Sequence, residues 1–87
     1  MDASGNGNID AITPGQVRAA RGLVGWTQDD LARVSGVPKR TIARVELSDG
    51  IPQRRTIAAI RAALEGAGIH FIPENGGGPG VRLRRST

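Results

Sequence analysis

Apolar side chains recur at helical spacing in four consecutive stretches, each bounded by residues that start or stop helices. In the first stretch Val17 and Ala20 lie three residues apart, on one face of a helix. Thr13-Pro14 precedes them and Gly25 follows. Threonine is a favoured N-cap, proline suits the first helical position, and glycine suits a left-handed C-cap. The pattern therefore predicts a first helix that begins at Thr13-Pro14 and is ended by Gly25.

The second stretch is short and begins at Thr27, with Asp30 three residues later. This is a variant capping box, in which each side chain bonds the backbone N–H of the other residue. Leu31 and Ala32 are expected to face inward, and Gly36 allows the positive φ of a tight turn. Two short helices joined by such a turn form a helix-turn-helix, so this stretch and the next one predict that motif.

The third stretch follows the turn at once, over about residues 38–47, with Pro38 as the expected first helical residue. Ile42 and Val45 are expected to anchor it to the core. Its other side, which we call the basic face, consists of Lys39, Arg40, Thr41 and Arg44. Because a random exposed helix face usually mixes charges of both signs, this acid-free face favours a polyanionic partner.

A fourth helix is predicted from near Pro52-Gln53 to about Gly66, with an apolar stripe that includes Ile60 and Leu64. Two short segments then follow, at 69–72 and 81–84, on either side of a turn-rich connection. They predict a β-hairpin or two separate strand pairings. Because an isolated hairpin is only marginally stable, these strands need the fourth helix, another chain, or both.

Three regions follow from this pattern: a disordered polar arm over residues 1–12, a helix-turn-helix domain over 13–68, and a strand extension over 69–87. The extension carries apolar residues that a helical core of this size does not require. We therefore expect it to pair across a two-fold axis as a dimerisation element. The residues assigned to that contact are Ile69, Phe71, Val81 and Leu83.

Composition narrows the possible partners. The chain has 87 residues and a net charge of +4, and eleven of its twelve basic residues are arginine, whose planar donors suit phosphate and guanine edges. With no cysteine and a single histidine, no metal or other cofactor is expected. The sequence has no membrane-length apolar run, and a cytoplasmic location without a membrane partner is expected.

Other classes of function are less well supported. The chain lacks a recognisable Ser/His/Asp set or paired carboxylates, so neither an enzyme nor a small-molecule ligand is predicted. Its aromatic residues are Trp26 and Phe71 alone, too few for the stacking platforms of single-strand or RNA binders. The alternative that stays open is a protein-interaction module, such as an antitoxin or antiactivator, because exposed strand edges recruit partners.

The segments 21–32, Ser35-Gly36-Val37 and 41–46 together resemble the Cro/C1-type (XRE-like) helix-turn-helix regulators of phages and bacteria. The resemblance implies a lambda-repressor-like helix-turn-helix domain of four helices. Together with the short C-terminal β-hairpin or strand pair predicted from the pattern, the expected fold is mainly α. The resemblance also implies sequence-specific binding of double-stranded DNA and transcriptional regulation. The helix at about 38–47 would enter the major groove, and the expected form is a homodimer on a pseudo-palindromic operator.

The resemblance also implies roles for single residues. The expected base contacts come from Lys39, Arg40 and Arg44. The expected backbone contacts come from Thr27, Gln28, Thr41 and Arg54, with Gln28 also bracing a side chain of the third helix. Arg21 and Glu46 match positions that form a partly buried structural ion pair. Pro38 departs from the usual Ser or Thr cap of the third helix, which removes a hydroxyl cap worth about 1 kcal/mol.

Overall fold

The computed structural model describes residues 11–84. The arm predicted over 1–12 therefore lies outside the described residues, apart from Ala11 and Ile12. Ile12 is half-buried and packs against the core. The last part of the extension predicted over 69–87, after Arg84, also lies outside them.

The described residues form four helices followed by an antiparallel β-hairpin, which confirms the predicted fold class. The elements are α1 (Pro14–Val24), α2 (Gln28–Ser35), α3 (Lys39–Glu46), α4 (Arg54–Gly66), β1 (Ile69–Ile72) and β2 (Gly80–Leu83). Several bounds differ from the prediction by one or two residues. Pro38 is the N-cap of α3 rather than its first helical residue, because its ψ of 142° is extended. Helix α4 begins at Arg54 rather than near Pro52-Gln53, and β2 spans Gly80–Leu83 rather than 81–84.

Local chemistry explains where the first two helices begin and end. Thr13 and Gln16 form a complete capping box at the start of α1, and Thr27 and Asp30 form another at the start of α2. At the other end of each helix, Gly25 and Gly36 have φ of 74° and 77°. Only glycine adopts this left-handed conformation without steric cost, so the α2–α3 turn of the helix-turn-helix depends on the glycine at position 36.

A single apolar core lies between the helices and the hairpin. Every helix contributes to it, and so does β1. Its members are Val17, Ala20, Leu31, Val37, Ile42, Val45, Ile60, Leu64, Ile69 and Phe71. Trp26, Ile57 and Val81 pack against its edge. The core therefore holds α3 by one side and leaves its other side at the surface.

The hairpin corrects the reasoning behind the predicted dimerisation residues. Ile69 pairs with Leu83 and Phe71 with Val81, so all four side chains share one face of the sheet. That face packs on the helices of the same chain, because Ile69 and Phe71 are 2% and 4% exposed and Val81 lies against the core. Leu83 is at the rim and 41% exposed. These residues are thus needed by the fold of one chain, and their apolar character no longer implies a second one.

A buried glutamine attaches the hairpin to α1. Gln16 is 6% exposed, and its Nε2 donates to the carbonyl oxygens of Ile72 (3.1 Å) and Gly80 (2.9 Å), which face each other at the turn end of the hairpin. Its Oε1 accepts from the Thr13 backbone N–H at 2.8 Å. One amide therefore caps α1 and fixes the sheet to it. The hairpin also contacts α4, where the Arg61 guanidinium lies 5.4 Å from the centroid of the Phe71 ring.

Candidate nucleic-acid interface

The basic face is exposed because α3 is buried only along its opposite side. Ile42 and Val45 are 0% and 7% exposed, and they fix the rotation of the helix about its axis. The side chains of Lys39 and Arg44 are 56% and 63% exposed, and Arg40 is exposed beside them. The structure therefore brings the three predicted base-contacting residues together on one accessible surface.

Acids from neighbouring elements reach two of these cations. Lys39 Nζ lies 3.3 Å from Asp29 Oδ1, in the first turn of α2. Arg44 Nε lies 3.7 Å from Asp49 Oδ2, just after α3. Within residues 11–84, Arg40 has no hydrogen-bond or ion-pair partner. The sequence pattern missed these contacts because it described the charges of α3 alone, whereas both carboxylates come from outside that helix.

Arg21 and Glu46, which were expected to form a structural ion pair, are joined by two hydrogen bonds. Arg21 Nε donates to Glu46 Oε2 at 2.6 Å, and Nη2 donates to Oε1 at 2.9 Å. Gln28 Nε2 donates to the same Oε1 at 3.0 Å, and Arg18 donates to the Glu46 carbonyl oxygen. Glu46 is only 3% exposed. This network ties the end of α3 to α1 and to the start of α2.

The electrostatics of the network keep the buried carboxylate charged. Burial alone raises the pKa of Glu46, but hydrogen bonds from Arg21 and Gln28, together with the charges of Arg21 and Arg18, outweigh it and leave the pKa below its ordinary value. The hydrogen bond to Glu46 raises the pKa of Arg21. Glu46 is therefore a charged but buried group that acts as part of the scaffold.

The predicted backbone-contacting residues differ in burial and in whether their side chains are already bonded within the chain. Gln28 is half-buried and already bonded to Glu46, so it does brace an α3 side chain. Thr27 Oγ1 accepts from the Asp30 backbone N–H at 3.0 Å and is thus engaged as a helix cap. Thr41 is half-buried, and Arg54 is exposed at the first residue of α4.

The start of α2 is less positive than its helix dipole alone implies. Asp30 bonds the Thr27 backbone N–H at 2.9 Å and the guanidinium of Arg33 at 3.1 Å. The backbone hydrogen bond from Thr27, followed by the bond from Arg33, lowers the pKa of Asp30, so this carboxylate is charged at neutral pH. Asp29 adds a second acid in the same turn. A phosphate that approaches this terminus therefore meets negative charge as well as free N–H groups.

An open groove of about 300 Å³ runs beside the basic face, between α3 and the segment leading into α4. Thr41, Arg44 and Thr56 line it, and Ile51 borders it while being 97% exposed. Such an open groove lacks the enclosure by which small-molecule sites bury most of their ligand. Over residues 11–84, no group of three metal-binding side chains occurs. In the same range no helix combines the length and apolar character that a membrane crossing requires.

Comparison with known proteins identifies the motif. A family model described as helix-turn-helix matches residues 17–66, which is more than half of the chain and covers α2, the turn and α3. A search of curated proteins found no match. Members of this family are DNA-binding regulators rather than typical enzymes. The chain therefore belongs to the Cro/C1-type helix-turn-helix family of DNA-binding transcriptional regulators.

Proposed function

We propose that this protein binds a specific sequence of double-stranded DNA by placing α3 in the major groove, and that it regulates transcription from that site. The observation that carries the proposal is the basic face itself. Its three cations are exposed side by side on a helix whose opposite side is fixed by Ile42 and Val45. A rigid, cationic helix surface is what major-groove recognition requires.

Base contacts are assigned to Lys39, Arg40 and Arg44. Arginine and lysine donate best to the O6 and N7 acceptors of guanine, so the proposed site contains G·C pairs at the contacted positions. Arg40 leads this group, because no acid within the described residues competes for its guanidinium. The clustering of three cations on one face of α3 favours a nucleic-acid partner over the alternative of a protein partner.

Backbone contacts are assigned to Thr27, Gln28, Thr41 and Arg54. Gln28 has one amide hydrogen committed to Glu46, and its second hydrogen is the one proposed to reach a phosphate. Thr41 lines the groove between α3 and the segment leading into α4, and Arg54 is exposed at the start of α4. These contacts would position α3 but would not select sequence.

The proposal is tested by selecting bound duplexes from a random DNA pool and then measuring affinity for the selected sequence. Arg40→Ala and Arg44→Ala should each weaken binding by about ten- to a hundredfold, because one good bidentate base contact is worth ~1–3 kcal/mol. The matched control is Arg33→Ala, which removes the same charge from α2, outside the basic face. Failure to enrich any sequence, or wild-type affinity in both α3 variants, would refute the assignment.

A homodimer on a pseudo-palindromic operator is proposed as the working form. A single module of this type buries only roughly 600–1,000 Å² against DNA, so useful specificity calls for two modules about one helical turn apart. If the hairpin joins the two copies, its strand edges and the exposed part of Leu83 form the contact, since Ile69 and Phe71 are buried in their own chain.

Light scattering after size-exclusion chromatography tests this step, on the protein alone and with duplexes that carry one or two half-sites. Two chains per two-site duplex are expected, with binding tighter than to a single half-site. Leu83→Lys should reduce dimer formation and leave half-site affinity unchanged if the hairpin makes the contact. One chain bound independently at each half-site would contradict the dimer.

A further inference from the structure

Two carboxylates stand beside the basic face without belonging to α3. Asp29 is reached by Lys39 at 3.3 Å, and Asp49 is 3.7 Å from Arg44. All four side chains are more than half exposed. Exposed ion pairs of this kind add little to stability. The helix dipole favours an acid such as Asp29 in the first turn of α2, but it does not require that this acid lie against a cation of the basic face.

We propose that Asp29 and Asp49 are specificity-determining residues that make the basic face discriminate between base edges and phosphates. This inference rests on the DNA binding proposed above. Each acid holds the cation beside it and opposes a phosphate that approaches the same place.

The two kinds of DNA contact respond differently to such an acid. Sequence-independent binding comes from contacts with phosphates. A phosphate attracted to Lys39 or Arg44 is repelled by the carboxylate next to that cation. A guanine edge is uncharged and offers two acceptors. Lysine has three donors and arginine five, so either cation can bond a base edge while one donor still faces its carboxylate. The acids therefore weaken phosphate binding more than base binding.

Arg40 provides the contrast within the same face. It has no acidic partner among residues 11–84, so nothing there limits its attraction to phosphate. In addition to its proposed base contact, Arg40 is thus expected to strengthen binding to any duplex, whereas Lys39 and Arg44 strengthen binding mainly where a matching base is present.

The test uses Asp29→Asn and Asp49→Asn, which remove charge and keep side-chain size. Fluorescence anisotropy gives Kd for a duplex selected from a random pool and for a shuffled duplex of the same composition. Each variant should bind the shuffled duplex about fivefold more tightly, the effect of one unit charge at roughly 4 Å in water. The selected duplex should change less, so the specificity ratio falls. The salt dependence on the shuffled duplex should also become steeper.

Two control variants separate this effect from a general gain of positive charge. Glu65→Gln makes the same change of net charge on α4, where Glu65 pairs with Arg61, and should leave the ratio nearly unchanged. Asp29→Glu keeps the charge and should retain most of the wild-type ratio. Repeating the random-pool selection with Asp29→Asn should yield a broader preference at the position that Lys39 contacts.

An unchanged specificity ratio in both Asp→Asn variants overturns the inference. A fall in the specificity ratio of Glu65→Gln as large as that of the Asp→Asn variants overturns it as well. Either result would leave the proposed function intact, because wild-type protein would still prefer its selected duplex. Wild-type protein with no preference for any duplex would instead overturn the proposed function, and this inference with it.

Discussion

Helix α1 holds two other parts of the molecule, and it holds them by different chemistry. Near its start, the neutral amide of Gln16 bonds two carbonyl oxygens of the hairpin. Further along, Arg21 bonds the buried carboxylate of Glu46 and so fixes the end of α3. The comparison teaches that the attachment of α3 to α1 depends on a buried charge, whereas the attachment of the hairpin to α1 does not. The two attachments should therefore differ in their energetic cost and in their response to pH.

The largest effect is expected from breaking the charged attachment. Arg21→Ala leaves the Glu46 carboxylate buried without its main partner, and such a loss typically costs ~3–5 kcal/mol. Urea denaturation should show this as a lower free energy of unfolding. The matched control is Arg33→Ala. Arg33 pairs with Asp30 at the surface, so its removal should lower the free energy of unfolding by less than about 1 kcal/mol. Equal costs for the two variants would mean that the Arg21–Glu46 pair is not structurally important.

A somewhat smaller effect is expected from the neutral attachment. Gln16→Ala removes the hydrogen bonds to Ile72, Gly80 and Thr13, and at roughly 1 kcal/mol for each bond the cost is about 2–3 kcal/mol. Hydrogen exchange should show faster opening of the hairpin than of α3. Gln53→Ala, at an exposed position, should change stability by no more than about 0.5 kcal/mol. Uniform loss of protection over the whole chain would mean that Gln16 does not hold the hairpin in particular.

The same two attachments show how far the sequence alone could go. Helix bounds were predictable because Thr13, Thr27, Gly25 and Gly36 act on their immediate neighbours. The pairing of Arg21 with Glu46, 25 residues apart, came from the family resemblance and not from spacing. Gln16 was missed because its partners are main-chain carbonyls 56 and 64 residues away, and every residue has a carbonyl.

For the site and for the hairpin, the sequence predicted which residues share a face but not what that face contacts. Residues of the basic face share a helix, so periodicity alone groups them. Asp29 and Asp49 reach that face only through tertiary structure, and a charge count along α3 leaves them out. In the hairpin, alternation correctly marks Ile69 and Phe71 as residues of one apolar face. Alternation does not say whether that face meets the same chain or another, and here it meets the same chain.

Acid should affect the two attachments differently. The pKa of Glu46 is lowered in the folded protein, so its charge stabilises the fold fully above the ordinary glutamate pKa of about 4.3. That contribution is lost as the pH falls through the lowered pKa of the folded state. The effect should be smaller than that of Arg21→Ala, because a protonated carboxyl still fills its site. Stability measured by urea denaturation at several pH values should fall in acid.

The control for this pH dependence is Glu46→Gln, which lacks the titrating group. Its stability is lower throughout, but its curve should be flatter in acid than that of the wild-type protein. Asp30, whose pKa is also lowered, titrates in both proteins, so the difference between the curves isolates Glu46. Gln16→Ala should keep the wild-type pH dependence, because an amide does not titrate in this range. Parallel curves for the wild-type and Glu46→Gln proteins would count against a charged Glu46 in the fold.

The smallest effect concerns the start of α3, which has no side-chain cap, unlike α1 and α2. Pro38→Ser would supply a hydroxyl acceptor for a free backbone N–H group, and Pro38→Ala removes the proline ring without adding one. Thermal and urea unfolding of these two variants should differ by about 1 kcal/mol in favour of serine. Loss of the proline ring makes both unfolded chains more flexible, so Pro38→Ser itself should lie close to the wild-type protein. No difference between serine and alanine would mean that α3 is held by its buried side and by Glu46 alone, and that its start needs no cap.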